Sequence, residues 1–231
     1  MTVVLATVCK DGVVLGSDSQ ITDKGRGMTY PAEKLHSLGG MAAWGGSGAR
    51  SVLADVERSF NENSAAILEA PDIGHALQER VLPILRHHYD AFIADVPGDE
   101  GGGTPSAYVM AAGWRDGEPW IIEITPSGMI GHYADIGFHA IGSGAAMAQQ
   151  ASSLLSHFHF TERSLRFGCA TVLRVLQALD LTSASVGDPF SLCAIDNSGA
   201  HHLDDDEIDK VDKDVRRWES AEQAAIADIF D

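Results

Sequence analysis

The sequence predicts an α+β domain in which two antiparallel β-sheets lie between layers of helices. Apolar patterns typical of strands and of helices come in separate blocks rather than in alternation: strands, two helices, strands, two helices and strands again. The first strand is apolar on both faces, so its sheet must be covered on both sides. Glycine-containing turns separate neighbouring strand segments, as in antiparallel hairpins.

The first block consists of strands. Residues 2–9 and 13–21 are β-rich runs joined by Lys10-Asp11-Gly12. An Asp-Gly pair between two such runs predicts a hairpin, because type I′ turns need a positive φ at both central positions. Two shorter strands are predicted over residues 34–38 and 41–45.

Two helices are predicted next. Apolar residues recur at helical spacing over residues 49–62, and a second helix follows with Asp72 as its cap. Pro83 lies inside this second helix and should kink it or end its regular part. Residues 96–106 lack any periodicity and are predicted to form a loop.

The second half of the chain repeats this order. Strands are predicted over residues 107–114, 119–125, 129–134 and 138–143, helices over 145–158 and 162–179, and a final hairpin around Asn197-Ser198-Gly199. No linker divides the sequence, so we expect one domain over residues 1–203. An acidic tail over residues 204–231 follows, and its second half is expected to be helical.

Composition restricts the partners and the compartment. Lys and Arg total 16 against 33 Asp and Glu, a net charge of −17 that disfavours nucleic acid and anionic membranes as partners. No apolar run approaches the ~20 residues that cross a bilayer, and no secretory signal is present. Three widely spaced cysteines without a CxxC motif indicate buried thiols in a reducing cytoplasm.

Thr2 suggests a specific chemistry. A small residue after Met1 favours removal of the methionine, which would leave a free α-amine beside the Thr2 hydroxyl. An α-amine has a pKa of about 8, so it can serve as the general base for its own hydroxyl. A lysine would favour the hydroxyl's anion, and a carboxylate would hold that lysine. Lys34 and Asp18 have these residue types, although solvated surface charges would give the same pattern.

From Thr2 to about Phe60 the chain resembles the proteasome β-type family of N-terminal nucleophile hydrolases. The stretch TVVLATVCKDGVVLGSDSQIT matches that family's opening hairpin, and GSDSQIT is especially similar to the peptidase subunit of the bacterial ATP-dependent two-component protease. Asp18 and Lys34 fall on the offsets of the family's catalytic Asp and Lys. The resemblance implies a four-layer αββα sandwich, in agreement with the element order above.

The resemblance extends to further site residues. The segment MAAWGGSGARSVL implies that Gly45 supplies an N–H to the oxyanion hole, with Gly46 or Gly48 as alternatives. The segment AIGSGAAMAQQ implies that Ser143 completes the hydrogen bonds around the terminal amine.

The segment LTSASVGDPF departs from the usual family pattern. Where the family carries Asp-x-x-Ser-Gly-Gly, this chain places Thr182 at the Asp position and Ser185 at the Ser position. The Ser-Val-Gly-x-Pro form is more similar to Anbu-type bacterial proteasome homologues. Thr182 and Ser185 are therefore candidates for the third part of the site.

The resemblance implies a cytoplasmic threonine-type peptidase that assembles into a homo-oligomeric ring and hydrolyses peptides or unfolded proteins without a metal or cofactor. The sequence identifies no ATP-dependent unfoldase as a partner. Two alternatives remain: a small-molecule amidase or transpeptidase on the same fold, and a non-catalytic assembly subunit.

Overall fold

The structure is a computed structural model that describes residues 2–23, 28–93, 104–183 and 186–230. Its strands are β1 (Val4–Cys9), β2 (Gly12–Asp18), β3 (Gln20–Asp23), β4 (Met28–Pro31), β5 (Leu35–Leu38), β6 (Ala42–Gly48), β7 (Ala107–Arg115), β8 (Glu118–Ile124), β9 (Ile130–His132), β10 (Phe138–Ile141), β11 (Phe190–Asp196) and β12 (Gly199–His202). Its α-helices are α1 (Arg50–Leu68), α2 (Ile73–Asp90), α3 (Ala145–Leu155), α4 (Leu165–Thr182) and α5 (Asp205–Phe230), and two 3-10 turns cover Ser156–Phe158 and Phe160–Glu162.

Two five-stranded antiparallel sheets form the centre of the molecule. The first sheet has the strand order β10-β1-β2-β11-β12 and the second β5-β6-β7-β8-β9, while β3 and β4 form a separate ribbon. The sheets pack face to face around one apolar layer. Helices α3, α4 and α5 cover the outer face of the first sheet, and α1 and α2 cover that of the second. The predicted four-layer αββα sandwich is therefore confirmed.

Strand β1 shows why the first run of the sequence is apolar on both faces. Leu5 belongs to the core between the first sheet and its helices, whereas Val4, Ala6 and Val8 belong to the core between the two sheets. Each buried Val or Leu contributes roughly 1.5–3 kcal/mol. Both faces of β1 are stabilised by burial, so the strand cannot alternate between apolar and polar residues.

The Asp-Gly pairs mark hairpins for two different reasons. Asp116 and Gly117 have φ of 56° and 85°, as a type I′ turn between β7 and β8 requires. In the β1–β2 hairpin Cys9 pairs with Gly12, so the loop residues are Lys10 and Asp11. Gly12 is outside the left-handed region, but a Cβ there would lie 2.2 Å from Ile195 O. The hairpin was predicted correctly, although close packing rather than φ explains Gly12.

Helices α1 and α5 are longer than the sequence pattern indicated, whereas α3 ends at Leu155, before the predicted end at residue 158. Asp72 caps α2 as predicted, since its carboxylate accepts the N–H of His75 at 3.0 Å. The helix continues through Pro83 to Asp90, so the proline does not end it. Helix α1 reaches Leu68, and α5 already begins at Asp205. None of the helices in the described ranges could span a membrane.

Two further predictions concern irregular segments. Of the predicted loop at residues 96–106, residues 96–103 lie outside the described part of the chain, and residues 104–106 form no strand or helix. Strand β4 was not predicted, because Met28 and Thr29 are exposed and give no apolar alternation.

Candidate active site

Thr2 lies two residues before the start of β1 and is held by the turn between β10 and α3. Its N–H donates to Ser143 Oγ at 3.1 Å, and its carbonyl accepts the N–H of Gly144 at 3.3 Å. Gly142 has a φ of 94°, and a Cβ there would lie 2.2 Å from Thr2 O. A residue with a side chain at this position would push Thr2 away from Ser143.

Asp18 ends β2 and is completely buried. Its Oδ1 accepts the N–H of Val3 at 2.9 Å and a proton of Lys34 Nζ at 2.8 Å, while Oδ2 accepts the N–H of Gln20 at 3.1 Å. Three donors offset the cost of burying this carboxylate. The bond to Gln20 also explains why the predicted strand over residues 13–21 divides into β2 and β3 at Ser19.

Lys34 lies immediately before β5 and is 6% exposed. Its ammonium group donates to Asp18 and also to Gln20 O at 2.7 Å. Burial lowers the pKa of Lys34 below its ordinary value, and the hydrogen bond and charge of Asp18 only partly oppose this effect. The lysine is thus a buried, tightly positioned cation whose proton is easier to lose than that of a surface lysine.

A cavity of about 810 Å³, here called the Lys34 cavity, brings these groups to one surface. Thr2, Lys34 and Ser143 line it together with residues 46–48, and residues from β3 to β6 and on α1 form its other walls. Thr2, Asp18, Lys34 and Ser143, four of the residues singled out from the sequence, are therefore brought together by hydrogen bonds or by this cavity.

The glycines of β6 are not equivalent in this cavity. Gly46 and Gly48 line the Lys34 cavity, whereas Gly45 does not, and a Cβ at Gly45 would lie 2.9 Å from Lys34 O. Within the described chain, β5 pairs with β6 only as far as Gly45, and residues 46–48 pair with β7 alone. The other edge of residues 46–48 thus faces the cavity, so this strand end favours Gly46 and Gly48 over Gly45 as N–H donors.

The structure does not bring Thr182 to Thr2. Thr182 is the last residue of α4, is exposed, and its hydroxyl donates to Ala178 O at 3.0 Å within its own helix. Ser185 lies outside the described residues. The backbone that follows nevertheless approaches Asp18, because Ser19 N–H donates to Gly187 O at 3.3 Å.

A buried carboxylate that sequence reasoning missed lies on the other side of Ser143. Glu123 of β8 bonds to His139 Nε2 of β10 at 2.5 Å, and the His139 ring stacks on Tyr133 with ring centroids 3.5 Å apart. Burial, followed by the charge and hydrogen bond of Glu123, raises the pKa of Tyr133. The only signal in the sequence was one charged residue within the apolar strand PWIIEIT.

Glu123 lines a second cavity of about 700 Å³, here called the Glu123 cavity. The two cavities share Ser47, Gly48 and Ser143 in their walls. Ser143, one of these three shared residues, is also the residue whose hydroxyl accepts the N–H of Thr2.

The other reactive side chains fit a nucleophile or metal site less well. Cys9, Cys169 and Cys193 are buried free thiols, and burial raises the pKa of each to about 12. They stay protonated near neutral pH, so a thiolate nucleophile is disfavoured. Over the described ranges, no group of three or more His, Cys, Asp or Glu side chains is arranged to hold a metal ion.

Solved structures with the same fold carry the name Anbu. The Anbu (Gly-1) mutant from Hyphomicrobium sp. strain MC1 has a TM-score of 0.72 at 17% sequence identity, and the match covers 100% of both chains. Anbu (ancestral beta-subunit) from Yersinia bercovieri has a TM-score of 0.72 at 15% identity, over 97% of this chain and 96% of that one. No protein-family model and no curated protein matches the chain in sequence. The resemblance to the Anbu type is thus confirmed at the level of the fold.

Proposed function

We propose that the chain is a threonine-type peptidase in which removal of Met1 makes Thr2 the N-terminal nucleophile. The observation that carries the proposal is the buried Lys34–Asp18 pair, which places an ammonium group in the same cavity as Thr2. A buried ion pair is expensive to desolvate and adds little net stability, so its presence beside a potential nucleophile favours a catalytic role.

The reaction divides into acylation and hydrolysis. Thr2 Oγ attacks the peptide carbonyl carbon, a C–O bond forms, and the hydroxyl proton passes to the α-amine of Thr2. The tetrahedral oxyanion then collapses, the C–N bond breaks, and the α-ammonium group gives its proton to the leaving amine. Water then attacks the carbonyl carbon of the resulting ester and gives a proton to the α-amine of Thr2. The C–O bond to Thr2 breaks, Thr2 Oγ takes this proton back from the α-ammonium group, and the acid product is released.

Each neighbouring group has a role in these steps. Lys34 stabilises the developing negative charge on Thr2 Oγ, and Asp18 holds Lys34 in place. Ser143 orients the amine, since its hydroxyl lies 3.1 Å from Thr2 N. An N–H of Gly46 or Gly48 stabilises the oxyanion, an interaction whose loss costs about 3 kcal/mol in related sites.

The proposal includes assembly and substrate. A chain with this fold from Yersinia bercovieri is named an ancestral beta-subunit, which supports the view that this chain is also a subunit of a cytoplasmic homo-oligomeric ring. The substrates would be peptides or unfolded proteins. The mass of the assembly in solution, measured by light scattering, tests this part, because a monomer would contradict the ring.

Intact-mass analysis before and after treatment with a β-lactone or epoxyketone probe tests the nucleophile. We expect the purified protein to lack Met1 and to gain the mass of one probe per chain, whereas Thr2→Ala gains none. Retention of Met1, or a processed and assembled protein that takes up no probe, would contradict the proposal.

A further inference from the structure

The Glu123 cavity has the features of a binding site rather than of a packing defect. By strand register, Ser47 lies opposite Tyr108 and Glu123 lies opposite Met110, so the side chains of Ser47, Tyr108 and Glu123 are on the face of the second sheet that is directed at the first. Residues of β10 and the start of α3 close the cavity from the first sheet. Glu123 itself is 7% exposed.

The cavity presents one carboxyl group. Among the described residues that line it, Glu123 is the only acidic or basic one, and the others are small apart from Ile141 and the half-exposed Tyr108. His139 bonds to the carboxylate from behind and is not part of the lining. A carboxylate in a confined, largely uncharged cavity favours a cationic ligand, and the Tyr108 ring can add a cation–π contact.

The cavity also lies next to the proposed nucleophile. Ser143 contacts Thr2 N and lines both cavities, and Gly48 at the end of β6 does so as well. A polypeptide with its carbonyl carbon at Thr2 Oγ would run past this shared wall. Its residues on one side of the scissile bond would face the Lys34 cavity, and those on the other side the Glu123 cavity.

We infer that the Glu123 cavity is a substrate subsite that selects a lysine or arginine side chain on the side of the scissile bond opposite the Lys34 cavity. The kinetic consequence of this inference, a preference for substrates with lysine or arginine, rests on the proposed function. The binding of a cation by the cavity does not depend on catalysis. Glu123 is the specificity-determining residue, and His139 is a positioning residue that orients the carboxylate.

The kinetic test compares internally quenched peptides that carry lysine, norleucine or glutamate at each position flanking the cleaved bond. We expect the lysine-to-norleucine ratio of kcat/KM to fall about tenfold in Glu123→Gln at one flanking position. Glu118→Gln, the same substitution at an exposed position of the same strand, should keep the wild-type ratio. An unchanged ratio in Glu123→Gln would overturn the inference.

Two further variants distinguish a role of Glu123 in specificity from a purely structural role of the Glu123–His139 pair. His139→Gln keeps the carboxylate in the cavity and should retain a preference for lysine, whereas a purely structural pair would make it behave as Glu123→Gln does. Thr104→Lys places a competing cation at the exposed rim of the cavity and should reduce the preference without disturbing the core. Thr104→Lys therefore still tests the inference if Glu123→Gln does not fold.

A binding measurement keeps this inference distinct from the proposed function. We expect n-butylammonium to bind the wild-type assembly at least tenfold more tightly than Glu123→Gln or Thr104→Lys in saturation-transfer NMR titrations, and more tightly than neutral n-butanol. Equal binding by wild type and Glu123→Gln would refute the subsite. Glu123-dependent binding without probe labelling of Thr2 would refute the peptidase and retain the cation site.

Discussion

Two buried polar pairs lie on opposite sides of Ser143, and they differ in which partner faces its cavity. Lys34 and Asp18 are 16 residues apart, and so are Glu123 and His139. In the first pair the ammonium group lines the cavity and the carboxylate is behind it. In the second pair the carboxylate lines the cavity and the imidazole is behind it. Equal spacing thus places an ammonium group in the wall of one cavity and a carboxyl group in the wall of the other, so spacing by itself says little about chemistry.

The two pairs also differ in how completely they are desolvated. Asp18 is fully buried and accepts three hydrogen bonds, two of them from backbone N–H groups. Glu123 is in contact with a cavity, and its partner His139 is 15% exposed. Removal of Lys34, the partner of Asp18, should therefore lower the free energy of unfolding more than removal of His139, the partner of Glu123.

The largest expected effect concerns Thr2, which contacts the wall between the two pairs. Thr2→Ala removes the proposed nucleophile, so peptide hydrolysis should fall by at least about a thousandfold. Assembly mass and circular dichroism should be unchanged. Thr29→Ala, at an exposed position of β4, serves as the control and should keep its activity. Substantial hydrolysis by Thr2→Ala would assign the activity to another group.

The next effect tests the difference in desolvation directly. Lys34→Met leaves the Asp18 carboxylate buried without its cation, which should lower the free energy of unfolding by about 3–5 kcal/mol. His139→Phe leaves Glu123 beside a cavity that water can enter, and should cost only about 1–2 kcal/mol. Urea unfolding followed by circular dichroism measures both, with the exposed Lys213→Met as a near-neutral control. Equal losses would contradict the proposed difference between the pairs.

A smaller effect concerns two glycines near the end of β6, Gly46 and Gly48. Gly48 has a φ of 133°, and a Cβ there would lie 2.1 Å from Ser106 O, so Gly48→Ala should destabilise by about 1–3 kcal/mol and distort both cavities. At Gly46 the three atoms nearest to the Cβ would all belong to the Leu53 side chain rather than to the backbone. Gly46→Ala should therefore cost less than Gly48→Ala, as thermal unfolding and probe labelling can measure. A larger loss of stability in Gly46→Ala than in Gly48→Ala would contradict the backbone conformation and contacts described for this end of β6.

The smallest effect is the pH dependence of stability at Lys34. Burial lowers the pKa of Lys34 in the folded protein, while the unfolded lysine keeps its proton up to about pH 10.4. Between these two values the unfolded state binds more protons, so the stability of the wild type relative to Lys34→Met should rise with pH. Paired urea titrations between neutral pH and pH 10 measure this difference. A relative stability that falls with pH would mean that the charge of Asp18 outweighs burial.

Local patterns predicted much of the fold because they report on local constraints. The two apolar faces of β1 required cover on both sides, and Asp72 marked the start of α2. The same reasoning was less successful where packing decided the outcome. Pro83 did not end α2, because the helix can keep Leu77, Val81 and Leu85 buried on either side of it.

The candidate site shows the same difference between what local sequence indicates and what tertiary packing decides. Thr2, Asp18 and Lys34 fall within the first 34 residues, where resemblance of the sequence could identify them. Thr182 could not be excluded from the sequence, since only the structure places its hydroxyl against the carbonyl of Ala178 in its own helix. The choice among the glycines of β6 also depended on where β5 stops pairing.

The sequence by itself determined the types and order of most elements, the acidic character of the chain, and, through its resemblance to a known family, four residues of the candidate site. The tertiary structure brings Ser143, expected there from the resemblance, to Thr2 across 141 residues. Only the tertiary structure decided that Glu123 and His139 face each other between the sheets. Apolar periodicity is a property of a single strand or helix, so it can be seen in the sequence. A hydrogen bond between strands of different sheets depends on register and packing, which form only when the four layers come together.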